Sequence, residues 1–99
     1  MVVGVIVADL LLGDVHSLKE KRGVVRPIVA ELRRRFEVSA AETGNQDLHR
    51  RAEITAVLAS GERGHALDVL AACERMLAGR PEVELLSTRT RVLDDDDLS

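Results

Sequence analysis

Basic side chains spaced along one helix face are the most specific chemical feature of this sequence. Lys19, Arg22, Arg26 and Arg33 are three, four and seven residues apart, so a helix would align them in one stripe, the basic stripe. Within that predicted helix no acidic residue lies three or four positions from any of them. Positive charge without local counter-charge is typical of a surface that binds phosphate groups. A solvated helix face that binds nothing is the alternative interpretation.

Two more arginines would extend the basic stripe if the hairpin that carries them lay beside the helix. The predicted nucleic-acid-binding residues are therefore Lys19, Arg22, Arg26, Arg33, Arg50 and Arg51. Proteins that read RNA bases on a sheet use stacking aromatics, but the single aromatic residue, Phe36, fits the core. We therefore expect binding to depend on charge and shape.

The other polar and nucleophilic residues give no catalytic or metal-binding pattern. Asp14, His16, Asp47 and His49 match no metal-ligand spacing and fall in two different loops. Cys73 has no second cysteine to pair with, and its place on a helix stripe predicts a small buried hydrophobe. With no nucleophile–base pair or glycine-rich phosphate loop, we predict no enzymatic activity, no metal and no cofactor.

The composition predicts one domain followed by an acidic tail. The chain has 99 residues and a net charge of −3, and four consecutive aspartates at Asp94–Asp97 account for that negative charge. We expect residues 1–93 to form a single domain and residues 94–99 to be a disordered acidic tail. The apolar start, residues 1–12, lacks a basic signal region and is too short to span a bilayer, so we expect a cytoplasmic protein without membrane contact.

Hydrophobic periodicity divides the chain into six elements. A capping box formed by Ser17 and Glu20 starts the first helix, whose apolar face continues to Phe36. Gly79 and Pro81 stop the second helix. The predicted order is a strand at residues 2–12, the helix capped by Ser17, strands at 36–42 and 51–60, a helix at 62–78 and a strand at 83–93.

This β-α-β-β-α-β order predicts an α+β, ferredoxin-like fold. With right-handed crossovers it closes as one antiparallel sheet of strand order 4-1-3-2, with both helices on one face. Strand Val2–Leu12 is apolar on both sides, as a central strand requires. The sheet face without helices would then expose apolar residues, and a second copy of the chain is the simplest cover. We therefore expect a homodimer.

Three ordered segments of the sequence resemble the YlxP-like family of small bacterial proteins of unknown function. They are residues 17–22 (SLKEKR), residues 32–39 (LRRRFEVS) with 41–42 (AE), and residues 46–47 (QD) followed by 51–52 (RA). The resemblance covers about residues 2–93 and implies a ferredoxin-like fold. In some bacteria the family's genes lie beside those of translation initiation and ribosome maturation factors, which implies RNA or ribosome contact. Members often have Asn where this chain has Glu37 and Trp where it has His49, and the family supplies no catalytic residues.

These patterns favour a non-catalytic binding protein, an RNA- or ribosome-associated accessory factor that acts through the basic helix face. The alternative is a small regulatory or interaction module that works by self-association or ligand sensing, as other domains with this element order do. A basic surface with steep salt dependence would favour the first function. An apolar pocket at a dimer interface would favour the second.

Overall fold

The structure is a computed structural model that describes all 99 residues, and its elements follow the predicted order. They are β1 Val2–Leu12, α1 Leu18–Phe36, β2 Ser39–Gly44, β3 Arg51–Ser60, α2 Arg63–Ala78, β4 Val83–Asp94 and a one-turn 3₁₀ helix, Asp95–Leu98. All four strands are antiparallel and lie in the order β2-β3-β1-β4. This is the predicted order read from the opposite edge, so the ferredoxin-like arrangement with β1 at its centre is confirmed.

The core lies between the helices and one face of the sheet. Alternate residues of β1 and β3, such as Leu10 and Ile54, are fully buried and form one cluster with Ile28 of α1 and Leu77 of α2. α2 approaches β1 most closely at Gly4, where a Cβ atom would lie only 3.2 Å from the side chain of Leu70. Helix packing on a single face leaves the other face uncovered. Neither helix combines the length and the apolar character needed to cross a bilayer.

The uncovered side of the sheet, the open face, has an apolar centre. It contains Val3, Val5, Val7 and Leu11 of β1 and Val57 of β3, all only partly buried. Around them the strand registers place charged side chains of both signs: Asp9, Arg51, Glu53, Glu84, Arg89 and Arg91. Arg89 reaches across β1 to Glu53, with 3.6 Å between their nitrogen and oxygen atoms.

Helix α1 begins at its predicted cap and extends further than predicted. The hydroxyl of Ser17 accepts a hydrogen bond from the Glu20 N–H at 3.1 Å, and the Glu20 carboxylate accepts one from His16, not from the cap itself, at 2.9 Å. The helix continues through Phe36 and ends at Glu37, which has a left-handed φ of 55°. The predicted start of β2 at Phe36 is therefore wrong. An apolar residue at a helix–strand boundary fits both periodicities, and here Phe36 packs on the core from the last helical turn.

The acidic end of the chain forms a turn in which the aspartates bond to one another. The carboxylate of Asp94 accepts a hydrogen bond from the Asp96 N–H at 3.0 Å, and that of Asp97 accepts one from the Asp94 N–H at 2.8 Å. The ammonium group of Met1 lies 3.3 Å from Asp95. These groups hold the aspartates at the start of β1 and the end of β4, because Val2 pairs with Asp94.

Candidate functional site

A groove of about 640 Å³ runs between α1 and the edge strand β2 and includes most of the basic stripe. Its α1 wall combines apolar and basic side chains, and its β2 wall is short and mainly polar. The groove is lined by Leu18, Lys21, Arg22, Val25, Arg26, Val29, Ala30, Arg33, Ala41, Glu42 and Gln46. The groove therefore lies at the border between the apolar face of α1, which packs on the sheet, and its basic face.

Lys21 forms the floor of the groove and was not among the predicted site residues. Its side chain is only 2% exposed, and its ammonium nitrogen lies 2.8 Å from the Glu42 carboxylate. It also donates a hydrogen bond to the carbonyl of Asn45 at 2.6 Å. A buried ammonium needs such partners, because an unpaired charge in the interior is costly. Lys21 therefore fastens α1 to β2 and to the turn that follows it.

The spacing of the helix contained a signal for this burial. Lys21 lies three residues after Leu18 and four before Val25, so it occupies a position of the apolar stripe. A lysine at that position must either reach solvent or find a buried acceptor. Glu42, on a strand predicted to be nearby, was the available partner.

Three residues of the basic stripe are exposed, and two of them, Arg22 and Arg26, line the groove. Lys19, Arg22 and Arg26 are exposed, and none of them forms an ion pair within the chain. By contrast, Glu31 on another side of α1 pairs with Arg35 and with Arg80. The absence of counter-charge expected from the sequence thus also holds in three dimensions for these three residues.

Arg33 belongs to the same stripe but is bound to the edge of the sheet. Its Nε and Nη2 atoms donate hydrogen bonds to the carbonyl of Ala40 at 2.9 and 2.6 Å. The amide of Gln46 donates to the next outward-facing carbonyl of β2, that of Glu42, at 3.2 Å. Two carbonyls that an edge strand would leave free are therefore occupied by side chains. That Arg33 contacts phosphates stays a prediction, because these two bonds leave its other N–H donors free.

The two hairpin arginines do not extend the basic stripe. Arg50 donates from Nε to the carbonyls of Leu12 and Gly13 at 3.1 and 2.8 Å, so it fastens the end of β1. Arg51 pairs in register with Leu11 and lies on the open face, opposite to the face that α1 covers. The hairpin aligns with β1 and directs Arg51 away from the helices, and that either arginine contacts nucleic acid stays a prediction.

The remaining candidate groups are placed without a catalytic arrangement. His16 and Asp14 form an exposed pair, 2.7 Å apart, and no group of three potential metal ligands comes together. Cys73 is buried in the core, as predicted, and this burial raises the pKa of its thiol. A thiol with a raised pKa is a poor nucleophile at neutral pH.

Comparison with known proteins agrees with the family resemblance. The sequence pattern of the DUF503 proteins, described as proteins of unknown function, matches residues 3–90. The chain belongs to the DUF503 family. The uncharacterized protein YlxP of Bacillus subtilis is 31% identical over 88 residues, which is 89% of this chain and 96% of that protein. The match to the DUF503 pattern contains every residue that lines the groove and ends before the acidic turn.

The fold of this DUF503 protein is similar to that of a Chloroflexus aurantiacus protein assigned to the antibiotic biosynthesis monooxygenases. The two structures superimpose with a TM-score of 0.55 over 95% of this chain and 94% of the other, at 17% identity. At this identity the similarity concerns the fold alone.

Proposed function

We propose that this DUF503 protein is a non-catalytic RNA-binding protein, an accessory factor that acts on RNA or the ribosome. The observation that carries the proposal is the row of exposed cations without intramolecular partners, Lys19, Arg22 and Arg26, the last two of which line the groove. From Lys19 to Arg26 the helix rises by about 10 Å, so the row presents several charges to one strand of a nucleic acid.

The groove itself adds little negative charge to oppose an anion. Its one carboxylate, Glu42, lies beside the ammonium group of Lys21. Arg33 remains at the groove wall, where its charge still contributes to the local potential although two of its donors are bound to Ala40. A phosphate chain laid along α1 would therefore meet a continuous positive surface.

The test is the salt dependence of RNA binding, followed by fluorescence anisotropy. We expect the substitutions Arg22→Gln and Arg26→Gln together to weaken binding of two unrelated RNA sequences equally. They should also flatten the slope of log affinity against log salt by about 0.7 for each phosphate group that the protein no longer neutralises. The matched control is Arg63→Gln with Arg75→Gln, which removes equal charge from two exposed arginines of α2. Undetectable binding at low salt, or an equal loss of affinity in the control, would reject the function.

Association with the ribosome needs a separate measurement. Co-sedimentation with purified ribosomal subunits should show binding of the native chain and reduced binding of the Arg22→Gln, Arg26→Gln variant. Equal recovery of both proteins would mean that any association with the ribosome uses another surface.

A second candidate function, self-association, is favoured by the open face. Its apolar centre is surrounded by Asp9, Arg51, Glu53, Glu84, Arg89 and Arg91, so acidic and basic residues are equal in number. A surface that must match its own copy needs such a balance of charge. In addition, the Nε atom of Arg51 is buried without an acceptor, and a carboxylate of a second copy would supply one. We propose that the second copy packs on this face and leaves the groove accessible.

A further inference from the structure

The geometry of the groove points to a more specific ligand than a phosphate chain. We propose that the groove takes one unpaired base of a single-stranded RNA, preferably a base with an amino group, while Arg22 and Arg26 hold the adjoining phosphates. This inference rests on the proposed function, because it concerns the same surface. It adds a requirement for a flipped-out base and a chemical preference among bases.

The groove has the size and lining of a small-ligand site. Its volume of about 640 Å³ lies within the range of about 300–1,000 Å³ that is typical of such sites. Leu18, Val25, Val29 and Ala30 line its α1 wall, whereas Ala41 on the β2 wall is in register with Thr55 and directs its side chain to the open face. A slot with one aliphatic wall suits one flat face of a base, while the rim arginines suit its phosphates.

The inner end of the groove has spare hydrogen-bond acceptors. The Glu42 carboxylate, 22% exposed, faces Lys21 with its buried Oε2, and its Oε1 accepts no hydrogen bond within the chain. The amide of Gln46 uses its nitrogen on the Glu42 carbonyl and leaves its oxygen free. Both acceptors suit amino groups, which adenine, cytosine and guanine carry and uracil lacks. Uracil offers these acceptors only its single N3–H, so we expect a base with an amino group, which has at least two N–H bonds to donate, to bind more tightly.

A duplex and an extended peptide fit the groove less well. In a duplex the bases are stacked and paired, so none of them reaches a slot beside the bound phosphates. An added peptide strand needs the free carbonyls of an edge strand. Those of Ala40 and Glu42 are already bonded to Arg33 and Gln46. A peptide would have to displace both side chains, whereas a base leaves them in place.

The first test fills the groove. Ala30→Phe places an aromatic ring in the slot, and the matched control Ala71→Phe makes the same change at an exposed alanine of α2. We expect Ala30→Phe to weaken binding of a ten-nucleotide single-stranded RNA about tenfold, the scale of one bound base. It should leave the weaker binding of the annealed duplex unchanged. Equal single-strand affinities of the two variants would overturn the inference, yet the salt slope due to Arg22 and Arg26 would still support phosphate binding. A native chain that binds no RNA would overturn both.

The second test compares the affinities of two RNA homopolymers, one with amino groups on its bases and one without. Oligocytidine should bind several-fold more tightly than oligouridine of equal length, and Ala30→Phe should abolish this difference. Equal affinities would reject the preference for amino groups.

A third test asks whether the groove binds a peptide instead of RNA. Arg33→Ala frees the carbonyl of Ala40, so it would tighten binding of an eight-residue acidic peptide if the groove served strand addition. Such tightening, together with RNA binding that is insensitive to Ala30→Phe, would assign the groove to a peptide and overturn the inference.

Discussion

The ammonium nitrogen of Lys21 lies 2.8 Å from the Glu42 carboxylate and joins the core side of α1 to the edge strand β2. The two partners are not equally buried, since the Lys21 side chain is 2% exposed and that of Glu42 is 22% exposed. Loss of the carboxylate would leave a buried positive charge with only the carbonyl of Asn45, whereas loss of the ammonium would leave a carboxylate that water can still reach.

This asymmetry predicts the stabilities of a double-mutant cycle. We expect Glu42→Gln to lower the free energy of unfolding by about 2 kcal/mol, and Lys21→Met to lower it by less, because Met fills the site without a charge. The double variant should be more stable than the sum of the two losses implies. Urea denaturation of the four proteins measures these values. Additive losses would mean that the two side chains do not stabilise each other.

Glu37 ends α1 in a backbone conformation that disfavours most residues. Its φ is 55°, and Asn tolerates this left-handed region better than Glu does. We expect Glu37→Asn to raise the free energy of unfolding by about 0.5–1 kcal/mol. Glu37→Ala is the control, because it removes the same charge but keeps the strain, and should bring no such gain. Equal effects in thermal unfolding would show that charge, not conformation, limits stability at this position.

The open face predicts a dimer of the 10.8 kDa chain. Light scattering at micromolar concentration should give twice that mass. Val5→Thr with Val57→Thr, two residues paired in register at the apolar centre, should shift the protein towards monomer, because the change replaces apolar surface with hydroxyl groups. Leu48→Thr with Leu67→Thr is the control, since both leucines are exposed outside this face. A monomeric native chain, or a control that dissociates equally, would contradict the prediction.

The position of the acidic turn predicts that it does not compete with RNA. β4 and β2 are opposite edges of the sheet, and the turn lies at the start of β1 while α1 begins beyond its end. The distance from Asp95 to Lys19 is about 30 Å along β1, and Arg26 is about 10 Å nearer because α1 runs back along the sheet, yet both distances exceed the screening length of about 8 Å at physiological salt. Replacement of Asp95, Asp96 and Asp97 with Asn should therefore change RNA affinity by less than about twofold under these conditions.

A charge change nearer to the groove provides the comparison for the acidic turn. Asp47→Asn lies in the turn whose Asn45 carbonyl accepts a hydrogen bond from Lys21, so it should tighten binding more than the triple change does. If the Asn variant of the acidic turn bound RNA fivefold more tightly, the turn would have to leave its place and reach α1.

The sequence was sufficient to predict the elements that local rules specify. The apolar residues on both sides of Val2–Leu12 indicated a central strand, and Ser17 with Glu20 located the start of α1. Both depend on periodicity or on a side chain bonded to a nearby backbone group. The end of α1 was missed because Glu37 adopts a left-handed conformation without the glycine that usually marks it.

The candidate site was harder to predict because it is built from interactions between distant segments. The bonds from Arg33 to Ala40 and from Arg50 to Gly13 depend on which strand lies at the edge and where the hairpin ends. The face on which Arg51 lies depends on the register of β3 with β1, because the register decides the direction of every side chain of a strand. Charge and spacing identified Lys19, Arg22 and Arg26 as exposed cations, but only the packed sheet shows that a groove lies beside two of them.

The pairing of β1 with β4 has a consequence for the synthesis of the chain. Val2 pairs with Asp94, 92 residues further along the chain, so β1 acquires its second neighbour only after β4 has been synthesised. Until then the edge of β1 that later pairs with β4 is open in the nascent chain. Pairing between such distant segments slows folding, and an unpaired apolar strand invites association with other chains. The central strand is therefore the part of this domain most dependent on protection until β4 has been made.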